Sequence, residues 1–403
     1  LKVCPINALA RGLFVQYDHH ATFASSSWPM FYYLFACLLL WIGMTIYLVA
    51  NSRRISHLRD CDAAMARTPA VDIVVAMRNE ENDVEQALSS LTRMRYPGYR
   101  IVVVNDRSTD RTPQILERLA QTLPIIVHTV QELPPGWLGK NHALYQGFLA
   151  SQAEWLLFTD ADIVFHPETL SKAMAVVQRQ QLDHLTALPH VRSRSALLNR
   201  VLSTFAVMLE LKVRPWAVRN PKSKAAFGVG AFNLVRRSVY AQAAAVPALR
   251  MRPDDDLKLG EFIKAAGFRQ DVVNGEGMVQ LEWYRNLREF IDGLMKNTFA
   301  VSNYNPVLAT AGAMAALLIF CLPVPLGLLW PDDACRVLGA AILLCQVLIV
   351  ALRPGDGKWN GGLMWFAGGL MAWIIVKSMV ITLWQGGIWW RGSFYGLKEL
   401  KGR

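Results

Sequence analysis

Trp155-Leu156-Leu157-Phe158-Thr159-Asp160-Ala161-Asp162 is the stretch on which the reading of this chain turns. Four apolar residues, a length suited to a buried strand, run straight into two carboxylates one residue apart. Hard divalent cations such as Mg²⁺ or Mn²⁺ are held by one or two carboxylates together with substrate phosphate oxygens. The turn therefore suits an ion carrying a diphosphate. Taken alone, Asp-x-Asp serves as readily as a solvated loop, and its surroundings decide.

Working backward, Val71 to Ala76, Arg100 to Val104 and Ile125 to Val130 are short runs rich in β-branched residues. Between them lie helical patterns. Val84, Leu88 and Leu91 mark one apolar face behind the cap residue Asn82, and Ile115, Leu116 and Leu119 mark a second. A third helix is expected from about Lys140 to Gln152. Strands alternating with helices over short connections predict an α/β domain with a mixed, mostly parallel sheet. Ligands of such sheets sit at the carboxyl ends of the strands, where Asp106, Asp160 and Asp162 fall. Working forward, Ala225 to Val235 reads as a Gly-punctuated strand, and Asp254-Asp255-Asp256 opens a helix ending near Gly267. Ala196 to Val218 is amphipathic and basic at its end, which suits a helix on the membrane surface and equally a core helix, and Trp283 to Asn303 is another amphipathic stretch with basic residues.

Hydrophobic residues make up 53% of the 403 and charged residues 18%, an imbalance concentrated in blocks, which points to membrane spans rather than a soluble enzyme. Residues 30–50 carry no charge and match the ~20 residues that cross a bilayer core. Arg53, Arg54 and Arg59 follow directly, so the net charge of +11 is read as a cytoplasmic membrane flank and not as a nucleic-acid surface. The expected organisation is a tail over 1–29, a span over 30–50, and a cytoplasmic domain with interfacial helices over 51–303. About three spans follow over 307–384, then a basic tail over 385–403. The sidedness is contradictory. Three later spans put the C-terminus outside, yet Arg391, Lys398, Lys401 and Arg403 argue for inside. Either the last block, interrupted by Lys377, is re-entrant or interfacial, or the positive-inside rule fails locally. The six cysteines are scattered without metal-ligand spacing and read as packing thiols.

Five motifs follow in order: Ala76-Met77-Arg78-Asn79-Glu80-Glu81; Val104-Asn105-Asp106-Arg107-Ser108-Thr109-Asp110; Pro134-Pro135-Gly136-Trp137-Leu138-Gly139-Lys140-Asn141; Asp160-Ala161-Asp162; and Asp255-Asp256-Leu257-Lys258-Leu259-Gly260. Together they resemble the family 2 glycosyltransferases of the GT-A fold, over roughly residues 71–303. Within that family they are similar to the membrane-bound type that glycosylates lipids, such as ceramide glucosyltransferases and carotenoid- or hopanoid-associated enzymes. The resemblance implies that Arg78, Asn79, Glu80, Asp106, Lys140 and Asp160 bind a nucleotide sugar. It implies that Asp162 holds the divalent metal and that Asp256, or its neighbour Asp255, is the general base. Three crowded acids also raise at least one pKa, which suits a base. Arg285, Arg288 and Lys296 are expected on diphosphate or lipid headgroups, with a solvated basic helix as the alternative. Gly228 and Gly230 either line the acceptor site or serve close strand packing.

The chain lacks the Gln-x-x-Arg-Trp motif of processive polysaccharide synthases; Trp283-Tyr284-Arg285-Asn286-Leu287-Arg288 stands in that region. That segment and the tail Ile388 to Tyr395 resemble the carotenoid and hopanoid type. The expectation is an inverting, metal-dependent hexosyltransferase in a bacterial inner or plasma membrane. Its partners are a nucleotide sugar, UDP-glucose above all, and a lipid acceptor, with no nucleic acid. A polysaccharide synthase and a non-catalytic membrane scaffold are the rival readings.

Overall fold

The computed structural model describes residues 19–245, 247–353, 357–390 and 392–401, without the side chains of 19–27, 248 and 296. The uncharged run at 30–50 lies inside a longer helix, α1 (His19–Ser52), which reaches back into the stretch read as a tail. Residues 1–18, Arg391 and Arg403 lie outside the described residues.

After α1 the chain alternates. It runs β1 (Val71–Met77), α2 (Val84–Thr92), β2 (Tyr99–Asp106), α3 (Thr112–Ala120), β3 (Ile125–Val130), α4 (Gly139–Ala150) and β4 (Trp155–Thr159). It continues through β5 (Ile163–Phe165), α5 (Thr169–Gln180), β6 (His184–Leu188), β7 (His190–Val191), α6 (Ala196–Val213), β8 (Asn233–Arg236) and α7 (Arg237–Ala244). Next come α8 (Pro247–Arg250), α9 (Asp255–Ala265), β9 (Gln270–Asn274), β10 (Val279–Leu281) and α10 (Leu287–Thr298).

Seven strands form one sheet in the order β3-β2-β1-β4-β8-β6-β9. β1, β2, β3 and β4 are parallel, β8 is antiparallel to both its neighbours, and β9 is again parallel to β6. Every residue of β1 is buried, which explains why it is apolar at all positions but one. The exception, Asp72, is held by Arg100 at 2.7 Å and by the N–H groups of Gln152 and Ala153. It pins β1 to β2 and to the end of α4. Only Asn233–Arg236 of the strand expected at 225–235 joins the sheet. The residues before it are loop, because Gly228 and Gly230 press against the acidic centre.

Four helices are long and apolar enough to cross a membrane: Trp28–Ser52, Pro306–Leu329, Asp333–Ala351 and Asn360–Gln385. The second comprises α11 (Pro306–Ala315), a π-helical turn (Ala316–Cys321) and α12 (Pro323–Leu329). A π turn and a following proline disturb the backbone ladder and leave carbonyls to be satisfied from outside. Tyr33 Oη donates to Leu318 O at 2.6 Å, Trp41 Nε1 to Ile319 O at 3.0 Å and Gln346 Nε2 to Phe320 O at 3.1 Å. The kink is thus locked by α1 and by α13 (Asp333–Ala351).

The last helix, α14 (Met364–Gln385), runs unbroken through Lys377, whose ammonium lies 4.8 Å from the centre of the Trp373 ring. It does not lead away from the α/β domain. Before it, Asn360 donates to Ser203 Oγ of α6 at 3.0 Å. Along it, Ala367, Met371 and Ile374 pack on Leu198, Val201, Phe290 and Leu294 of α6 and α10, and Ser378 donates to Met295 O. After it, the hairpin β11 (Gly387–Trp390) and β12 (Ser393–Gly396) and the short α15 (Leu397–Leu400) pack back onto the domain. The opposite face of α14, with Trp373, Val376, Val380 and Trp384, is exposed and apolar.

α12 and α13 approach at paired glycines: a Cβ on Gly327 would stand 2.6 Å from Gly339 Cα. Gly339→Leu is expected to cost ~1–3 kcal/mol by overpacking. In detergent its melting temperature should fall by several degrees, whereas Leu344→Ala, on the exposed face of α13, should leave it within a degree or two of the parent.

Candidate active site

The loops after β1 and β2 build one corner. Asn79 takes a left-handed φ of 58°. Its N–H donates to Ser108 Oγ at 3.0 Å, and its Oδ1 accepts from Thr109 N–H at 2.8 Å. The side chain of Asn79 therefore ties the two loops together. The Glu80 N–H donates to Thr112 Oγ1 at 2.8 Å, leaving the Glu80 carboxylate to line the adjoining cavity. Asp106, at the end of β2, is 1% exposed. Arg107, with φ 53°, turns back onto it: Nε lies 2.7 Å from Oδ1 and Nη2 3.2 Å from Oδ2. Arg78 Nη1 stands 4.0 Å from the same carboxylate. A Cβ on Gly139 would fall 2.4 Å from Asp106 Oδ2, so only glycine lets the first turn of α4 sit against this corner. Sequence reasoning passed over Arg107, because its role depends on a backbone reversal that no spacing encodes.

The acidic centre is built around Lys140, in the first turn of α4. Its Nζ lies 2.8 Å from Asp160 Oδ1 and 3.8 Å from Asp255 Oδ1. Burial works against the ammonium, but Asp160, Asp255 and Asp256 outweigh it and raise its pKa. Asp160 is fixed through its N–H to Gly230 O at 3.0 Å. Asp256 accepts from the N–H of Gly230 at 2.7 Å and from that of Leu257 at 2.8 Å. Gly230 has to be glycine, since a Cβ there would stand 2.4 Å from Asp160 Oδ2. A Cβ on Gly228 would meet Asp256 O at 2.1 Å. Burial, foremost, raises the pKa of Asp255 to about 7 and that of Asp256 upward, against the pull of Lys140.

The first of the three consecutive acids belongs elsewhere. Asp254 forms a two-pronged pair with Arg252 at 2.7 and 2.8 Å, and Arg252 also donates to Ala300 O. That buried pair ties the start of α9 to the segment entering the membrane helices.

Asp162 lies across from Lys140. Its Oδ1 is buried with no hydrogen-bond partner. Burial, then the charges of Asp160 and Glu80, push its pKa to about 7. An orphaned buried carboxylate oxygen beside two further carboxylates fits a divalent cation. Among the described residues no group of three or more His, Cys, Asp or Glu is close enough to form a closed protein cage. The donors present therefore fit an ion that completes its shell with water and substrate oxygens.

These groups open into a cavity of about 880 Å³. Its floor carries Glu80, Lys140, Asp160, Asp162, Asp255 and Asp256, and its far wall carries Asn199 and Ser203 of α6 with Arg353 and Asn360 from the membrane-helix side. Trp283, Tyr284 and Trp390 complete it, aromatics the sequence placed nearby without a role in the site. Arg285 and Arg288 are not brought to the acidic centre. Arg285 faces Asp83 at 3.7 Å, and Arg288 is a solvated helix residue near Asp292 at 4.0 Å. The Lys296 side chain lies outside the described residues.

Residues 72–243 match the family described as Glycosyl transferase family 2. The 4,4'-diaponeurosporenoate glycosyltransferase of Staphylococcus aureus is 33% identical over 96 residues, 24% of this chain and 24% of that protein. The poly-beta-1,6-N-acetyl-D-glucosamine synthase of the same species is 22% identical over 173 residues, 43% of this chain and 41% of that protein. The chain thus spans about a quarter to two-fifths of the length of these relatives. Among solved structures, the mannosyltransferase PcManGT from Pyrobaculum calidifontis, in complex with GDP-Man and Mn²⁺, superposes with a TM-score of 0.54 at 17% identity. That match covers 88% of this chain and 99% of the other. Residues 72–243 of the α/β domain thus carry the likeness to family 2 glycosyltransferases, and the domain has the GT-A fold.

An Asp whose folded pKa is raised from 3.8 to about 7 favours the protonated folded state, so its contribution to stability falls as pH rises from about 4 through 7. In metal-free protein, Asp162→Asn is expected to melt above the parent at pH 8 and to match it near pH 4. Added Mn²⁺ should raise the melting temperature of the parent at pH 8 and leave that of Asp162→Asn unmoved.

Proposed function

We propose that the chain is an inverting glycosyltransferase that moves a hexose, glucose above all, from a nucleotide sugar, UDP-linked above all, to the hydroxyl of a membrane lipid. One observation carries this reading. The acidic centre and the wall supplied by α6, Arg353 and Asn360 face each other across a single cavity. A donor site that opens toward the membrane helices suits an acceptor that arrives within the bilayer.

In this reading Asp106, gripped by Arg107, receives the nucleoside, with Arg78 and Glu80 beside it. Lys140 is a point charge for the diphosphate, held in place by Asp160 and Asp255. Asp162, with Asp160, would hold Mg²⁺ or Mn²⁺, which neutralises charge on the departing diphosphate. Asp256 takes the proton of the acceptor hydroxyl. Two backbone N–H groups orient its carboxylate, and its raised pKa brings its basicity toward neutral pH. Asp255 keeps Lys140 in register and is the neighbouring candidate for the same proton.

In this reading the membrane placement turns on α14. Of the four helices long and apolar enough to cross, α14 starts and ends against the α/β domain and packs along α11 and the π turn, and it is read as interfacial, with Trp28–Ser52, Pro306–Leu329 and Asp333–Ala351 crossing. The domain, Arg53 and Arg54, and the basic residues Lys398 and Lys401 then share the cytoplasmic side of a bacterial inner or plasma membrane. That placement brings span count and tail charge into agreement. The polysaccharide-synthase reading draws on the likeness to a poly-N-acetylglucosamine synthase, and product size separates the two.

Membranes carrying the full chain, given labelled UDP-sugars, are expected to yield a new glycolipid of single-hexose mass increment by lipid mass spectrometry. A high-molecular-weight polymer would favour the synthase, and no product with any donor would sink the lipid reading. Asp256→Asn and Asp162→Asn should each lower kcat/KM by about 10²–10⁴, the range for lost acid–base or charge stabilisation. Activity untouched by both would favour a scaffold. In sealed right-side-out vesicles, an impermeant thiol reagent should label Asp332→Cys in a cysteine-free background and spare Lys398→Cys.

A further inference from the structure

The C-terminal hairpin does not trail from α14 into solvent. Ile388, Trp390, Tyr395 and Leu400 pack on Leu138, Met251 and Tyr304. Leu138 immediately precedes Gly139 and Lys140, so the hairpin rests on the turn that presents the lysine. A two-stranded hairpin has little stability of its own, and here its position is set by that packing. Trp390 is 7% exposed and lines the cavity in company with Glu80, Lys140 and Asp160. At the hairpin turn, a Cβ on Gly392 would lie 3.9 Å from Arg78 Nη2. The hairpin thus reaches Arg78, one of the arginines that face Asp106, and through Trp390 the cavity that Lys140 lines.

We infer that the hairpin is a wall of the donor site, with Trp390 a binding residue for the nucleoside diphosphate. The inference rests on the donor site proposed above. An indole offers a flat apolar face to a base or sugar ring. Donor binding is thereby tied to the end of α14, the helix that lies under the domain.

The test uses the full chain in lipid nanodiscs with Mn²⁺, titrated calorimetrically with UDP and, separately, with GDP. Trp390→Ala is expected to weaken the nucleotide that binds by about tenfold, the scale of a ring-stacking contact. It should raise the donor KM by a similar factor and leave the acceptor KM unchanged. Trp390→Phe, which keeps the ring face, should recover affinity to within about threefold of the parent and controls for folding. Parent affinity in Trp390→Ala, at parent melting temperature, overturns the inference. Asp106→Asn, run alongside, separates the two claims. If Asp106→Asn loses nucleotide and Trp390→Ala does not, the hairpin inference alone falls. If the parent binds neither nucleotide, the donor site falls with it.

Discussion

One ammonium holds the site together. Lys140 stands among Asp160, Asp255 and Asp256, which come from the end of β4 and the start of α9. Without a cation, carboxylates this close and this buried repel and protonate. Lys140 lets the two elements converge, and the glycines at 228 and 230 let the intervening loop sit tightly against both. The strain of like charges is relieved only in part. Asp162 and Asp255 remain poised near neutrality.

The sheet was legible because its central strands are buried on both faces and end in acids. β1 to β4 each announce themselves as an apolar run between polar turns, and the structure pairs them in parallel. The small sheet of β5, β10 and β7 was not legible, since two or three residues give no periodicity. Nor was the fate of Asp254. In sequence it is one of three equal acids, and only the fold shows Arg252 two residues earlier curling around it. The start of α2 was misplaced for a related reason: Val84 begins it, and Asp83 precedes it without capping it through its side chain. Local chemistry admits both choices, and long-range packing selects one.

Asp106, Asp160 and Asp162 were legible as candidates from their places at strand ends, and Asp255 and Asp256 from the start of a helix, whereas the groups packed around them were not. Arg107 and Gly230 act through a left-handed backbone and a close approach, and Trp390 reaches the cavity through a packed hairpin. None of these leaves a signature at fixed spacing. Lys377 illustrates the converse. A charge inside an apolar run reads as an interruption, yet the helix continues, with the long side chain laid across Trp373.

On the membrane placement proposed above, α14 also sets the depth of the site. One face grips α6 and α10, and the other presents Trp373 and Trp384 outward. Aromatic side chains of this kind settle at the boundary between headgroups and acyl chains. A helix lying there would act as a float, and the domain would ride at the draught the float sets. The cavity wall that carries Asn360 hangs from the start of the same helix, so in that reading the site opens level with the headgroups. A lipid acceptor whose hydroxyl sits at that level would reach the acids without leaving the bilayer, and one that carries its hydroxyl on a long polar stalk would overshoot them.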